Sequence, residues 1–288
     1  MNLFELTQHK VAQSEILSEG GSLPGVGAIH IDEINPTLVP LEKELGIDLR
    51  NNALGSVGKR QFSGDIDVAL DIETDKISEF VERLKKSSQI MEIAKSSVIM
   101  TKVKIMDFDG EKSDDRPRTG YVQIDFMPGD PDWMKTYYHS PNEKDSQYKG
   151  VYRNIMIASI AGSVKIENSK ETIEDGRPLQ SKRFMFSPRD GLIRVLRRPV
   201  PKKTGDGYTK KNNNKIIDGP WKTADSIAKT LGLDNSDDLD SYETLVKAIR
   251  KNLSPEDQKN IFTAFTDNHT IKSMGIPPDI QEYSKGEL

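Results

Sequence analysis

The run from Asp65 to Ile72 constrains this chain more than any other. Ile66, Val68, Leu70 and Ile72 alternate with Asp65, Asp67 and Asp71. A period of two puts the aliphatic side chains on one face and the carboxylates on the other, the mark of a half-buried β-strand. Such a strand needs neighbours in a sheet and a layer to cover its apolar face. The remaining sequence offers both. Tyr121–Met127 alternates in the same way, with Val122, Ile124 and Phe126 against Gln123 and Asp125, and Val98–Met106 reads as a further strand. Asn35-Pro36 predicts a helix start ahead of the stripe Leu38, Leu41 and Leu45, and Asp75 caps a helix carrying Ile77, Phe80, Val81 and Leu84. Asp107–Gly120 is polar and reads as a loop, the stretch 18–27 as a turn-rich separator, and Tyr148–Ala161 as a helix. Phe184–Val195 suggests a hairpin, followed by a polar loop over Lys202–Lys215. Beyond it, Thr223, Ser241 and Ser254 each stand where a side chain caps a helix. The expected class is α+β.

The acidic face of the first strand carries the chemistry. Asp65 and Asp67 emerge on the same side with Cα atoms about 6–7 Å apart. Two carboxylates that close repel each other, and a hard cation such as Mg²⁺ relieves the repulsion. Upstream, Gly55-Ser56 sits in a turn with Gly58, Lys59 and Arg60, able to offer backbone N–H groups and a hydroxyl to phosphate oxygens. Asp125 lies on a separate predicted strand, opposite in direction to its apolar neighbours. Three acidic groups beside a phosphate-gripping turn are the parts of a two-metal phosphoryl-transfer site. Other chemistries lack their signatures. There is no Gly-x-Ser-x-Gly elbow, no NTPase phosphate loop and no twelve-residue calcium loop, and His9, His30, His139 and His269 show no metal-ligand spacing.

Gly55-Ser56, then Ser63-Gly64-Asp65-Ile66-Asp67-Val68, then Ile124-Asp125-Phe126 resemble the signature of the DNA polymerase beta-like nucleotidyltransferase superfamily, with wording nearest the family X DNA polymerases. The resemblance implies a polymerase beta palm-like mixed sheet with flanking helices, followed by a smaller, largely helical C-terminal module. It implies an enzyme that moves a nucleoside monophosphate from an NTP or dNTP to an acceptor hydroxyl, most readily a nucleic-acid 3′-end, with release of pyrophosphate. Asp65, Asp67 and Asp125 are then the catalytic and metal-binding residues for two Mg²⁺ or Mn²⁺ ions. Gly55, Ser56, Lys59, Arg60 and Ser63 fall to the nucleotide. More loosely, Tyr148–Arg153 is similar to the family's helix beside the nascent base pair, which makes Arg153 a candidate substrate contact. Tyr138-His139-Ser140 falls near the family's aromatic segment, beside Trp133 and Tyr137 as candidate stacking residues. The Gly-Ser motif is one residue shorter than the polymerase spacing, and helix-hairpin-helix DNA-binding motifs are absent, which points away from templated repair. The rival expectations are a catalytically silent nucleotidyltransferase fold that binds nucleic acid or protein, and a toxin- or antitoxin-like enzyme that modifies tRNA or a protein.

Charge separates the two ends of the chain. The whole carries −4, yet Lys182–Lys215 holds eleven basic residues against Asp190 and Asp206, a local +9. That segment is a candidate footprint for a phosphate backbone and hence for a nucleic-acid partner. The expected division is a catalytic domain with its N-terminal segment over 1–180 and a module of basic hairpin, loop and helices over 181–288. No apolar run reaches the ~20 residues of a membrane span. The lack of cysteine rules out disulfides and thiolate metal sites and fits a reducing cytoplasm.

Overall fold

The protein is described by a computed structural model over residues 23–96, 98–112, 115–164 and 171–284; residues 18–22 of the expected separator lie outside the described residues. The chain separates into two compact units that divide between Lys135 and Thr136. The division thus precedes the helix expected over Tyr148–Ala161 instead of following it, as a boundary at residue 180 requires.

The first unit is a mixed sheet flanked by helices. It begins with β1 (Ile29–His30) and α1 (Ile31–Leu45), and continues through β2 (Phe62–Ser63) to β3 (Asp65–Leu70) and α2 (Ile77–Leu84). Then come β4 (Ile90–Lys95), β5 (Ile99–Lys104) and β6 (Tyr121–Pro128). The strands order as β3-β6-β5-β4, with β3 and β6 parallel and the other pairs antiparallel. Ile66 and Val68 stand opposite Ile124 and Phe126. These four join Leu38, Leu41 and Leu45 of α1 and Phe80 and Leu84 of α2 in one buried cluster. Phe80 meets Phe126 edge to face at 5.1 Å. The alternation read from the sequence therefore fixes which sheet face the helices cover, and the aspartates are left on the other.

One expectation is corrected here, and one strand is added. The first helix starts at Ile31, not after Asn35, because His30 is its N-cap: the His30 ring accepts from the Asp32 N–H while Glu33 reaches back to the His30 N–H. Pro36 and Pro40 lie inside the helix, each removing a backbone donor. Pro40 faces solvent, and burial of Ile34, Leu38, Leu41 and Leu45 along the other side holds the helix together. The strand β4 was not visible in the sequence; its residues are half-buried or exposed and do not alternate.

The divide between the units falls within α3 (Pro131–Tyr137). The second unit continues with α4 (Gly150–Ser163), β7 (Ser181–Ser187), β8 (Gly191–Pro201) and β9 (Tyr208–Trp221). It closes with α5 (Ala224–Leu231), α6 (Tyr242–Asn252), α7 (Pro255–Thr266) and α8 (His269–Met274). Thr223, Ser241 and Ser254 cap their helices as expected. The loop expected over Lys202–Lys215 is instead largely strand. β7, β8 and β9 form an antiparallel three-stranded sheet, so this part of the chain is not largely helical. The side chains of β9 are exposed along most of its length, so its polar sequence carries no alternation, and backbone pairing to β8 alone makes it a strand.

Candidate active site

The parallel register of β3 and β6 decides the arrangement of the acidic groups. Asp67 stands opposite Asp125, and Asp65 opposite Gln123. Residues opposite each other share a sheet face, so all three aspartates lie on the face turned away from the helices. Burial, with the charges of Asp65 and Asp125 added to it, pushes the Asp67 carboxyl up to about 7. Burial likewise pushes Asp125 up, partly offset by a bond from Gln123 and reinforced by Asp65, to about 6. The three carboxylates feel one another.

The Gly-Ser turn is delivered beside them by a short antiparallel pairing. Ala53 bridges Val68, the Leu54 N–H donates to the Asp67 carbonyl at 2.8 Å, and the Ala69 N–H donates to the Asn52 carbonyl at 2.8 Å. Gly55 and Ser56 follow directly in the chain beyond that pairing. The turn then closes with the Lys59 N–H on the Ser56 carbonyl at 3.0 Å. Gly55 holds φ +66 with open space where a Cβ would stand, so it is backbone conformation, not crowding, that selects glycine. Arg60 is half-buried in the same turn, beside Lys59. Ser63 is buried next to Asp65, and its Oγ has no hydrogen-bond partner among the described residues.

Gln123 is a functional candidate that the sequence pattern alone did not single out. Its Nε2 donates to Asp125 Oδ1 at 2.8 Å, and its Oε1 accepts from the Leu23 N–H at 3.0 Å. The second bond fixes the amide so that its donor side faces the aspartate. The signal was present, since Gln123 and Asp125 are two apart on one strand. A second cluster carries no sequence motif. Arg118 holds Glu33 through two bonds of 2.9 and 2.7 Å, and the Asp109 N–H donates to the same carboxylate. Burial pushes Glu33 up, but Arg118 and the backbone donors of Asp109 and His30 outweigh it and leave its carboxyl below the ordinary value. This cluster ties the loop after β5 to the start of α1.

Arg153 has a different place from the one expected. It is buried in the second unit, where its Nε donates to the Leu239 carbonyl and its Nη1 to the carbonyls of Thr136 and Tyr137. A guanidinium so bonded to its own backbone serves the helical packing and is not assigned to the nucleotide. Trp133 is buried, Tyr137 stacks on Phe186 at 4.6 Å, and His139 pairs with Asp240 at 2.9 Å.

Among the described residues, no three His, Cys, Asp or Glu side chains are gathered closely enough to hold a metal ion as they stand. Like charges on Asp65, Asp67 and Asp125 oppose that gathering. The donor set nevertheless suits a hard divalent cation, being all carboxylate oxygen on one face. No model of a known protein family matches this chain, and no curated protein is similar to it. Among the described residues no helix is long and apolar enough to cross a membrane.

Proposed function

We propose that this chain is a metal-dependent nucleotidyltransferase, moving a nucleoside monophosphate from an NTP or dNTP to an acceptor hydroxyl, with a nucleic-acid 3′-end as the acceptor. The observation that carries the reading is the Asp67–Asp125 register with Asp65 on the same face, set beside the Gly55-Ser56 turn. Asp65, Asp67 and Asp125 would hold two Mg²⁺ or Mn²⁺ ions, which neutralise triphosphate charge and make an acceptor hydroxyl more acidic. Gly55 and Ser56 offer a backbone N–H and a hydroxyl to the triphosphate, with Lys59 and Arg60 supplying positive charge. Asp125, oriented by Gln123, takes the proton of the attacking hydroxyl at a carboxylate oxygen. The new oxygen–phosphorus bond forms at the α-phosphate as the bond to pyrophosphate breaks. Holding the two reactants in line supplies much of the rate.

Incubation with α-labelled triphosphates, Mg²⁺ or Mn²⁺, and a panel of tRNA, single-stranded DNA and primed duplex tests this directly. Label is expected in a nucleic-acid acceptor, lost by more than about 10³-fold in Asp65→Asn and Asp67→Asn, in line with removal of charge-stabilising groups. Variants as active as the parent overturn the reading. One observation favours a second reading, a catalytically silent nucleotidyltransferase fold: among the described residues the acidic groups are not gathered into a ligand cluster. A silent fold shows no metal- and triphosphate-dependent rise in melting temperature, whereas a working site does.

A further inference from the structure

The sheet of the second unit carries half-buried arginines whose rows hold no carboxylate. Across β7, β8 and β9, Ser181 stands opposite Arg197 and Asn214, and Arg183 opposite Val195 and Ile216. Opposite residues share a face, so Arg183 and Arg197 are diagonal neighbours on one side of the sheet. No carboxylate occupies those rows, and Asp218 stands opposite Arg194, on the other face. Among the described residues, the Nε of Arg183 and the Nε of Arg197 are both buried without a hydrogen-bond partner. Arg183 is pushed below its ordinary value by burial and by the charge of Arg197, with no acidic group offsetting either. The edge strand beside them is open: Asn214 is exposed and Ile216 is 50% exposed.

We infer that this face of the β7-β8-β9 sheet binds single-stranded nucleic acid through its phosphodiester backbone, with Arg183 and Arg197 as the phosphate clamp. The planar guanidinium fork matches phosphate oxygens, and an anion completes the two Nε donors that the protein leaves unmet. A polyanion fits better than a lone anion because the positive field extends well past the pair. Lys202 and Lys203 stand in the β8–β9 turn, and Lys182, Arg198 and Lys215 of the adjoining rows point to the opposite face, so they add to the field of the sheet without lining the clamp. Asn214 and the half-exposed Ile216 add an amide and an apolar surface beside the clamp. The choice of occupant rests on the nucleotidyl-transfer reading; the anion site itself does not.

Fluorescence anisotropy of a labelled twelve-nucleotide oligo(dT) with the full chain, in EDTA and without triphosphate, tests the clamp apart from catalysis. The parent is expected to bind. Arg183→Ala with Arg197→Ala should weaken binding by about tenfold or more and flatten the slope of log K against log salt by roughly 0.7 for each phosphate no longer neutralised. Arg183→Lys with Arg197→Lys keeps the charge, so it should bind a few-fold more weakly with nearly the parental slope. Unchanged affinity and slope in both double variants overturn the inference. So does displacement of the oligonucleotide by inorganic phosphate at equal phosphate concentration, which marks a single-anion site, or stronger binding of poly-glutamate, which marks a protein partner. Absence of nucleotide incorporation alongside clamp-dependent binding refutes the proposed reaction and leaves the clamp standing.

Discussion

Glu33 and Asp67 are both enclosed carboxylates of the first unit, and the fold treats them in opposite ways. Around Glu33, Arg118 and two backbone N–H groups overcome the effect of burial and keep the carboxyl ionised. Arg118 in turn lies over the rings of Phe62 and Phe108, at 5.5 and 4.8 Å. Around Asp67, burial is reinforced by two further carboxylates. An acidic group that serves as glue is paired; an acidic group that repels its neighbours is kept for a ligand, a pattern that clusters at functional sites. The second unit repeats the contrast with the sign reversed: Lys251 pairs with Asp234 at 2.6 Å, whereas the charge felt by Arg183 is that of Arg197.

The sharpest break in this comparison is Arg118→Ala. Glu33 is 1% exposed and Arg118 7% at the side chain, so removing the arginine leaves a buried charge, at a cost of about 3–5 kcal/mol in urea unfolding. Removing charge from the other cluster has the opposite sign. The Asp67 carboxyl takes up its proton near 3.8 when unfolded and near 7 when folded, so its contribution is fully present below about 3.8 and falls as pH rises toward 7. In EDTA, the parent should therefore lose up to about 4 kcal/mol relative to Asp67→Asn between pH 4 and pH 8, with the variant the more stable at pH 8. A variant that tracks the parent at every pH contradicts repulsion among the three aspartates. The smallest effect is expected at Arg183→Ala, under about 1 kcal/mol, because no partner is left unpaired.

Legibility in the sequence followed periodicity. β3 and β6 alternate strictly, and both the covered face and the face of the half-buried aspartates are readable from them without a register. Asp65, Asp67 and Asp125 share a face because of a parallel pairing that no local pattern encodes. β9 carried no signal, since its Asn and Lys side chains are solvated on both faces. His30 is an unusual N-cap, and Pro36 looked like a helix start because proline is favoured in a first turn. Arg153 illustrates the limit of carrying a role over from a loose match: its surroundings in the helical unit, not its position in a motif, determine what its guanidinium touches. Gln123 needed only the two-residue spacing to be suspected, but the Leu23 bond that orients it is long-range.

The aspartate face is tested most directly by counting bound metal. Electron paramagnetic resonance titration of Mn²⁺ into the full chain, with a non-hydrolysable triphosphate present, should show two ions per chain in the parent and loss of at least one in Asp67→Asn. A parent that binds no Mn²⁺, or an Asp67→Asn variant that binds it identically, contradicts the assignment of Asp65, Asp67 and Asp125 as a divalent-cation site.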